Sequence, residues 1–440
     1  MKRYLLSMAL GVFAVGSIGA YYASGTEGDT PRYKLVTLEG DASEAAKLQL
    51  SGSYVGGVGS KALELTVEGT KYRLTQSFYE KYLKDNRYLT AHYEDMKALK
   101  REHRNFMRAR SNVNSFYKDS EWLIYADAVL YGPGSAYDWR TELRMDVLEE
   151  SSGRVAKYRI ELDDSNRTDW IRVNDVQRIG DEVHILAEIR HRTELSAGGE
   201  DILTEEFRDY VVDLRSGKLL REVSLVSEEL DVSPERRGTA SAQSAVMDEV
   251  SLSAISSEVR SQPSEYVVLM TSRSHTAVGE GGKGTTTLER KYAAYSYRTG
   301  KVTPLPEPTR DLEAYTNIQS ELAGDRFTVL YSDNRSLAIM RYNVAEGTWG
   351  HDGLTLTAGQ LGGRSIKSVS LAQDRVYALL SSEDENKVGR FDSRQLTAVV
   401  LDAASGKQLY KGEVAYAGPA GEAEEFRKNL WLTNINGGRS

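Results

Sequence analysis

Apolar residues alternate with polar ones along most of the chain, and short polar inserts interrupt the alternation at similar points. The segment 399–414, VVLDAASGKQLYKGEV, is one example: an apolar run, an insert ending in Ser-Gly-Lys, and a second alternating run. An insert with glycine between two runs of period two predicts a β-hairpin whose glycine adopts a positive φ. Five such glycines occur, and they are Gly153, Gly217, Gly300, Gly347 and Gly406.

A second kind of turn precedes several of these hairpins. In segments 178–189, 322–333 and 371–382, a small or polar turn ending in aspartate precedes an alternating run. The repeated unit is therefore four antiparallel strands, with the aspartate turn after the first strand and the glycine turn after the third. Units of this kind that recur every ~45–80 residues predict a mainly β chain, a β-propeller of six or seven four-stranded blades. A β-sandwich series or a β-solenoid is the alternative.

The unequal spacing of the units is attributed to the connection between the second and third strands. Segments 191–205 and 273–287 are rich in glycine and small polar residues. We expect them to form long exposed loops.

In its hairpins the chain resembles the broad β-propeller class of bacterial extracytoplasmic repeat proteins, in which VxDxxSGK turns recur. The resemblance covers roughly residues 113–416 and implies the propeller fold. It implies no family function, because the chain has neither the WD dipeptide nor the Trp-docking consensus of the quinoprotein dehydrogenases.

The N-terminus has the layout of an export signal. Lys2 and Arg3 precede an uncharged stretch, residues 4–25, which is about long enough to cross a bilayer. Tyr21 and Tyr22 disfavour cleavage after Ala23 and suit a membrane interface. We therefore expect residues 1–25 to be an uncleaved signal anchor, 26–32 a linker, and the bulk of the chain extracytoplasmic at the cell membrane. The alternatives are secretion after cleavage and a buried core helix.

Residues 33–112 depart from the repeat, whereas residues 113–440 follow it. Strand candidates are YKLVTLEG, KLQLSGSYVGG and ALELTVEGTKYRL. They could form an additional blade or a sheet packed on the propeller. After them, the spacing Ser77 to Glu80 is that of a capping box, and segment 90–110 shows the apolar period of an amphipathic helix. Its apolar positions are Tyr93, Met96, Leu99 or His103, and Phe106.

The opposite side of this helical insert is basic. It carries Lys97, Lys100, Arg101, Arg104 and Arg108. Segment 71–110 contains eleven Lys or Arg against five Asp or Glu, so it is about +6 in a chain of formal charge -8. We expect this basic face to contact anionic lipid headgroups, an anionic wall polymer or an acidic partner. The alternative is a solvated face, or a helix that docks on the acidic propeller for stability.

Composition and motifs restrict the chemistry. There is no cysteine, which excludes disulfides and thiolate sites, and the mildly acidic charge gives no overall attraction to nucleic acid. The six histidines, His184 among them, lack zinc spacing. Segment 163–169 is rich in oxygen ligands but departs from the calcium-loop pattern. We therefore assign no catalytic, cofactor-binding or metal-ligating residue, and we expect no cofactor.

The leading hypothesis is a non-enzymatic, membrane-tethered propeller that acts as a binding or scaffolding module in cell-envelope sensing or assembly. Its partner would be a protein or an envelope polymer. One alternative is a propeller enzyme acting on an extracellular carbohydrate, because its carboxylates would come from different blades and show no linear spacing. Another is an accessory subunit of a membrane sensor kinase or transporter.

Overall fold

The structure of the protein is a computed structural model that describes thirteen segments of the chain. They are residues 30–56, 59–72, 94–110, 112–131, 140–163, 168–193, 202–230, 246–257, 263–278, 284–306, 315–349, 353–383 and 395–437. Within these segments no helix is long and apolar enough to cross a membrane. The predicted anchor, residues 4–25, lies outside them.

Strands make up most of the described residues. In chain order they are β1 (Tyr33–Gly40), β2 (Leu48–Val55), β3 (Ser60–Thr66), β4 (Gly69–Tyr72), β5 (Phe116–Lys118), β6 (Trp122–Tyr131), β7 (Arg140–Glu149), β8 (Val155–Leu162), β9 (Thr168–Ile179), β10 (Glu182–Thr193), β11 (Ile202–Asp213), β12 (Leu219–Leu230), β13 (Val246–Ile255), β14 (Tyr266–Val278), β15 (Gly284–Ser296), β16 (Lys301–Pro304), β17 (Asn317–Ala323), β18 (Arg326–Ser332), β19 (Ser336–Asn343), β20 (Thr348–Trp349), β21 (Leu354–Thr357), β22 (Ser365–Ala372), β23 (Arg375–Ser381), β24 (Leu396–Asp402), β25 (Gln408–Tyr416) and β26 (Leu430–Gly437). The α-helices are α1 (Glu94–Glu102) and α2 (Ala423–Lys428).

The strands form six antiparallel sheets. Sheet 1 has the order β26-β2-β3-β4, sheet 2 is β5-β6-β7-β8, sheet 3 is β9-β10-β11-β12, and sheet 4 is β13-β14-β15-β16. Sheet 5 is β17-β18-β19-β20 with β21 also paired to β19, and sheet 6 is β22-β23-β24-β25-β1. In sheets 2 to 5 consecutive strands are neighbours, which is the meander topology of propeller blades.

The described sheets divide between two compact units. The first unit contains sheets 1 and 6 and therefore joins the beginning of the chain to its end. The C-terminal strand β26 pairs with β2, so that Leu48 lies opposite Gly437. The N-terminal strand β1 pairs with β25, so that Tyr33 lies opposite Tyr416. The C-terminal strand thus completes a sheet of N-terminal strands, and the N-terminal strand extends a sheet of C-terminal strands. The strands before residue 73 therefore belong to these blade-like sheets.

The second unit contains helix α1 and sheets 2 to 5. Its cores lie between successive sheets, because each strand turns alternate side chains towards opposite neighbours. On β10, Val183, Ile185 and Ile189 pack towards sheet 2, whereas Leu186 packs with Tyr295 towards sheet 4. In the first unit a hydrophobic core joins sheets 1 and 6, with Leu50 and Val400 among its buried residues. Several of the abundant tyrosines are almost completely buried in these cores.

The five predicted glycine hairpins are confirmed. They connect the third and fourth strands of sheets 2 to 6, and φ at their glycines lies between 66° and 68°. In the turn after β24, the Asp402 carboxylate accepts hydrogen bonds from the amide and hydroxyl of Ser405, at 2.9 and 2.7 Å. Asp213 and Ser216 make the same contacts after β11. The Asp and Ser of the repeat are therefore turn residues.

The aspartate turns are also confirmed. They lie between the first and second strands of sheets 3, 5 and 6, with positive φ at Gly180, Gly324 and Asp374. The long loops predicted at 191–205 and 273–287 are wrong in extent. Strand pairing continues to Thr193 and resumes at Ile202, and it continues to Val278 and resumes at Gly284. Many of the small and polar residues in these two segments lie in paired strands, so a composition rich in such residues did not indicate a loop.

The segment ALELTVEGTKYRL contains two strands instead of one. A turn at Val67 and Glu68 separates β3 from β4, and Gly69 follows it with a φ of 115°. The polar Glu-Gly pair interrupts the alternating run, as in a short hairpin.

Candidate functional site

Lys97, Lys100 and Arg101 lie on helix α1, whereas Arg104 and Arg108 lie in the turns that follow it. Met96 and Leu99 of the helix are buried, which confirms the apolar period of the sequence. The helix ends at Glu102 and not at Arg110, and turns follow it up to Ala109. Phe106 and Met107 are both buried, although consecutive residues of a regular helix point about 100° apart. The chain therefore leaves the regular helix to bury both. Tyr93 and the capping box Ser77–Glu80 lie outside the described residues.

A hydrophobic cluster attaches this segment to sheet 2. Met96, Leu99, Phe106 and Met107 pack with residues of β5, β6 and β7, among them Phe116. Full burial of a side chain of this size contributes roughly 1.5–3 kcal/mol. Helix α1 is therefore held on the sheet by apolar contacts.

The basic residues divide into two groups, which together we call the basic surface. Arg101, Arg104 and Arg108 are exposed, and no described residue forms an ion pair or hydrogen bond with their side chains. Lys97 and Lys100 are half-buried and have interactions of their own. The structure thus presents three of the five predicted residues to solvent.

Arg110, in the same segment, is an arginine that stabilises the fold. It forms an ion pair with Asp146, and its guanidinium lies 4.2 Å from the centre of the Phe106 ring and 5.3 Å from that of Tyr125. Stacking and pairing hold it against sheet 2. The three exposed arginines have no such described contacts.

A second polar site lies between sheets 3 and 4, and sequence reasoning did not find it. Nδ1 of His184 lies 2.7 Å from Oδ2 of Asp209, and the hydroxyl of Tyr295 donates to the same oxygen at 2.6 Å. Since a carboxylate only accepts, Nδ1 carries the imidazole proton. His184 is 1 % exposed and Asp209 0 %.

A parallel contact lies beside it. The hydroxyl of Tyr297 donates to Asp175 at 2.7 Å, and the side-chain amide of Gln177 donates to the same carboxylate at 3.1 Å. Gln177 also accepts a hydrogen bond from the backbone amide of Ser264. We call His184, Asp209, Tyr295, Asp175 and Tyr297 the buried network. Burial, with the neighbouring aspartates, raises the pKa of both Tyr295 and Tyr297.

The buried network contains a histidine beside a carboxylate, as a general-base pair does, but a substrate could not reach it. A histidine oriented by a carboxylate can abstract a proton only from a group within hydrogen-bond reach. His184 and Asp209 are at most 1 % exposed. Tyr295 lies on β15 of the neighbouring sheet, and Tyr297 directly follows that strand. The arrangement therefore links sheet 3 to sheet 4 through hydrogen bonds. Across the described segments, no three His, Asp or Glu side chains are grouped as a metal site would require.

The first unit contains a pocket of about 460 Å³. It lies beside Arg32, Tyr416 and Phe426. The rings of Tyr416 and Phe426 stack with their centroids 4.7 Å apart. The Tyr416 hydroxyl donates to Glu422 at 3.1 Å. The pocket walls are thus partly aromatic and partly charged.

Comparisons with known proteins found likeness among solved structures alone. No protein-family model and no curated protein matches the sequence. Solved structures with likeness include the Dos1 propeller, at 12% identity, a TM-score of 0.22, and coverage of 62% of this chain and 55% of that one. The chain thus spans about half of that protein's length. The successive four-stranded antiparallel sheets are themselves those of a propeller-type fold.

Two carbohydrate-active proteins also show likeness. Polysaccharide lyase Uly1 has 8% identity, a TM-score of 0.24, and coverage of 70% of this chain and 82% of that one. An α-L-arabinofuranosidase from Lactobacillus brevis has 10% identity, a TM-score of 0.21, and coverage of 68% and 89%. At such scores the fold assignment rests on the blade topology of the sheets themselves.

Proposed function

We propose that the protein is a membrane-tethered, extracytoplasmic β-propeller that acts as a binding or scaffolding module in cell-envelope sensing or assembly. Its basic surface contacts an anionic protein or envelope polymer. One observation carries the proposal: helix α1 buries its apolar side in the protein's own core, while Arg101, Arg104 and Arg108 are exposed and have no described partner.

No contact within the described residues gives the three exposed arginines a role in the fold. The apolar cluster already holds the segment, and Arg110 supplies its ion pair to sheet 2. An anionic partner would supply the counter-charge that the described residues do not give these three cations.

Tethering is supported by the sequence of residues 1–25. Lys2 and Arg3 would remain in the cytoplasm, and the uncharged stretch after them would span the membrane. Deleting residues 1–25 should move the protein from the membrane fraction to the soluble fraction. Retention of the truncated chain in the membrane would reject the tether.

The binding role is tested by charge reversal. Arg101→Glu, Arg104→Glu and Arg108→Glu together should abolish co-purification of the partner after crosslinking in intact cells. The control reverses three exposed cations of sheet 2, which are Arg140, Lys157 and Arg159, and changes the net charge equally. Equal loss in both variants would show a general charge effect, and undiminished co-purification in the first would reject the basic surface.

A further inference from the structure

We propose that the pocket of the first unit binds a small zwitterion, a ligand whose ammonium group is joined by a short linker to a carboxylate or a phosphate. The site lies in the first unit, whereas the basic surface belongs to the second. Three features of the pocket carry the proposal: side chains of opposite charge, an aromatic wall, and a lining that the fold holds in place.

Side chains of both charges line the pocket. Arg32 directly precedes β1, and Glu422 and Glu425 lie at helix α2 on the other side of the lining. Arg32 and Glu425 are exposed, and no residue of the described segments forms an ion pair or hydrogen bond with either side chain. The two therefore do not neutralise each other, and the pocket offers a ligand one cation and one carboxylate.

The class of ligand follows from these charges. An anion without a cationic group would meet the carboxylates of Glu422 and Glu425, and a cation without an anionic group would meet the Arg32 guanidinium. Like charges repel, so either ligand would lose part of its attraction. A zwitterion pairs each of its charges with an opposite one. Its acidic group can be a carboxylate or a phosphate, because a guanidinium binds both.

The aromatic wall favours an ammonium group as the cationic part. The rings of Tyr416 and Phe426 are half-buried and stack with their centroids 4.7 Å apart. A cation is attracted to the face of an aromatic ring, as in the aromatic sites that recognise ammonium ligands. The Tyr416 hydroxyl donates to Glu422 at 3.1 Å, which places a carboxylate beside the ring. An ammonium group at this wall would contact a ring and a carboxylate together.

Buried contacts hold the lining on both sides of the pocket. Tyr33 is 2 % exposed, and its hydroxyl donates to the backbone carbonyl of Phe426 at 2.8 Å. The hydroxyl of Tyr72, which is 8 % exposed, donates to the backbone carbonyl of Pro31 at 2.7 Å. The backbone next to the charged side chains is therefore anchored before a ligand arrives. Such preorganisation lowers the entropic cost of binding.

The volume of the pocket sets the size of the ligand. At about 460 Å³ it lies in the lower part of the range for small-molecule sites. A dipeptide and a phosphoethanolamine group both have the required charges and are small enough. They represent two sources of the same chemistry, which are free amino acids or peptides and the headgroup of a phospholipid.

Isothermal titration calorimetry of the full chain in non-ionic detergent tests the site. The zwitterionic probes are dialanine and phosphoethanolamine, and each is compared with forms that keep only one charge. For dialanine these are N-acetyl-dialanine and dialanine amide, and for phosphoethanolamine they are ethyl phosphate and ethanolamine. We expect at least one zwitterion to bind about three- to fivefold more tightly than either of its single-charge forms. The zwitterion that does so identifies the source.

Two variants assign the charges. Arg32→Gln should weaken the zwitterion and its anionic form about three- to fivefold and leave the ammonium form unchanged. Glu425→Gln should weaken the zwitterion and its ammonium form and leave the anionic form unchanged. The matched controls are Lys34→Gln on β1 and Glu424→Gln on α2, which remove the same charges at exposed positions outside the lining and should retain affinity.

The proposal would be overturned if neither zwitterion bound, or if both bound no more tightly than their single-charge forms. Equal losses in Arg32→Gln and Lys34→Gln would show a general charge effect and would also overturn it. All four replaced side chains are exposed, so none of the variants removes a core contact. None of these results bears on the basic surface, so the proposed function stands or falls separately.

Discussion

Replacing Asp209 with alanine should strongly destabilise the second unit. Asp209 accepts hydrogen bonds from Nδ1 of His184 and from the Tyr295 hydroxyl, and all three residues are at most 1 % exposed. Removing the carboxylate leaves two buried donors unsatisfied, at about 1–3 kcal/mol each. We therefore expect a loss of about 2–6 kcal/mol in the free energy of unfolding.

The assay is urea unfolding followed by tryptophan fluorescence. Asp213→Ala is the control, because Asp213 lies on the same strand but caps an exposed turn, and it should shift the transition far less. Tyr295→Phe removes only one of the two hydrogen bonds and should cost about 1–2 kcal/mol. Because the two changes share a contact, the double variant should lose less than the sum of the single losses.

The reasoning about the buried network would be refuted by either of two results. One is a loss below about 1 kcal/mol for Asp209→Ala, which would mean that the orphaned donors find other partners. The other is strict additivity of Asp209→Ala and Tyr295→Phe, which would mean that the two groups are not coupled.

Two further predictions follow from the turns and the tyrosines. Gly217 and Gly300 have the same φ, but a Cβ on Gly217 would lie 2.1 Å from Cδ1 of Tyr158, whereas none of the surroundings lies within 4 Å at Gly300. Gly300→Ala should therefore lower the free energy of unfolding, measured by thermal unfolding, by about 1–2 kcal/mol, and Gly217→Ala should lower it by more. Equal losses in the two variants would contradict a clash with Tyr158. Burial, together with the hydrogen bond to Asp119, raises the pKa of Tyr117 to about 12. Because the folded state holds this proton more tightly, its stabilisation is complete below pH 10 and is lost as the pH rises towards about 12. The difference in tyrosinate absorbance between the original protein and a Tyr117→Phe variant should rise with a midpoint near pH 12. A midpoint near pH 10 for this difference in the folded protein would contradict the prediction.

Local turn chemistry explains why much of the fold could be predicted from the sequence. The Gly406 turn is specified within a few residues, because Asp402, Ser405 and Gly406 satisfy one another. Sequence reasoning therefore located all five hairpins. The pairing of β26 with β2 could not be derived in this way, since it joins residues almost 400 positions apart and both strands are ordinary alternating runs.

The same contrast applies to the candidate sites. The residues of the basic surface could be picked out from the sequence because they are neighbours in it, and their binding role stays a prediction. The buried network could not, because Tyr295 and Asp209 are 86 residues apart and meet only when two sheets pack. The one available signal was weak: Asp175 and Asp209 are charged residues within strands whose neighbours are mostly apolar. Such positions can equally face solvent.

Site-specific photocrosslinking in intact cells tests the central claim most directly. A photoreactive residue at position 104 lies on the basic surface, and one at position 157 lies on an exposed strand of sheet 2. The account predicts a discrete adduct with an acidic protein from position 104, absent from position 157 and lost when Arg101 and Arg108 are changed to glutamate. Equal adducts from both positions, or an adduct from position 104 that survives the charge reversal, would contradict it.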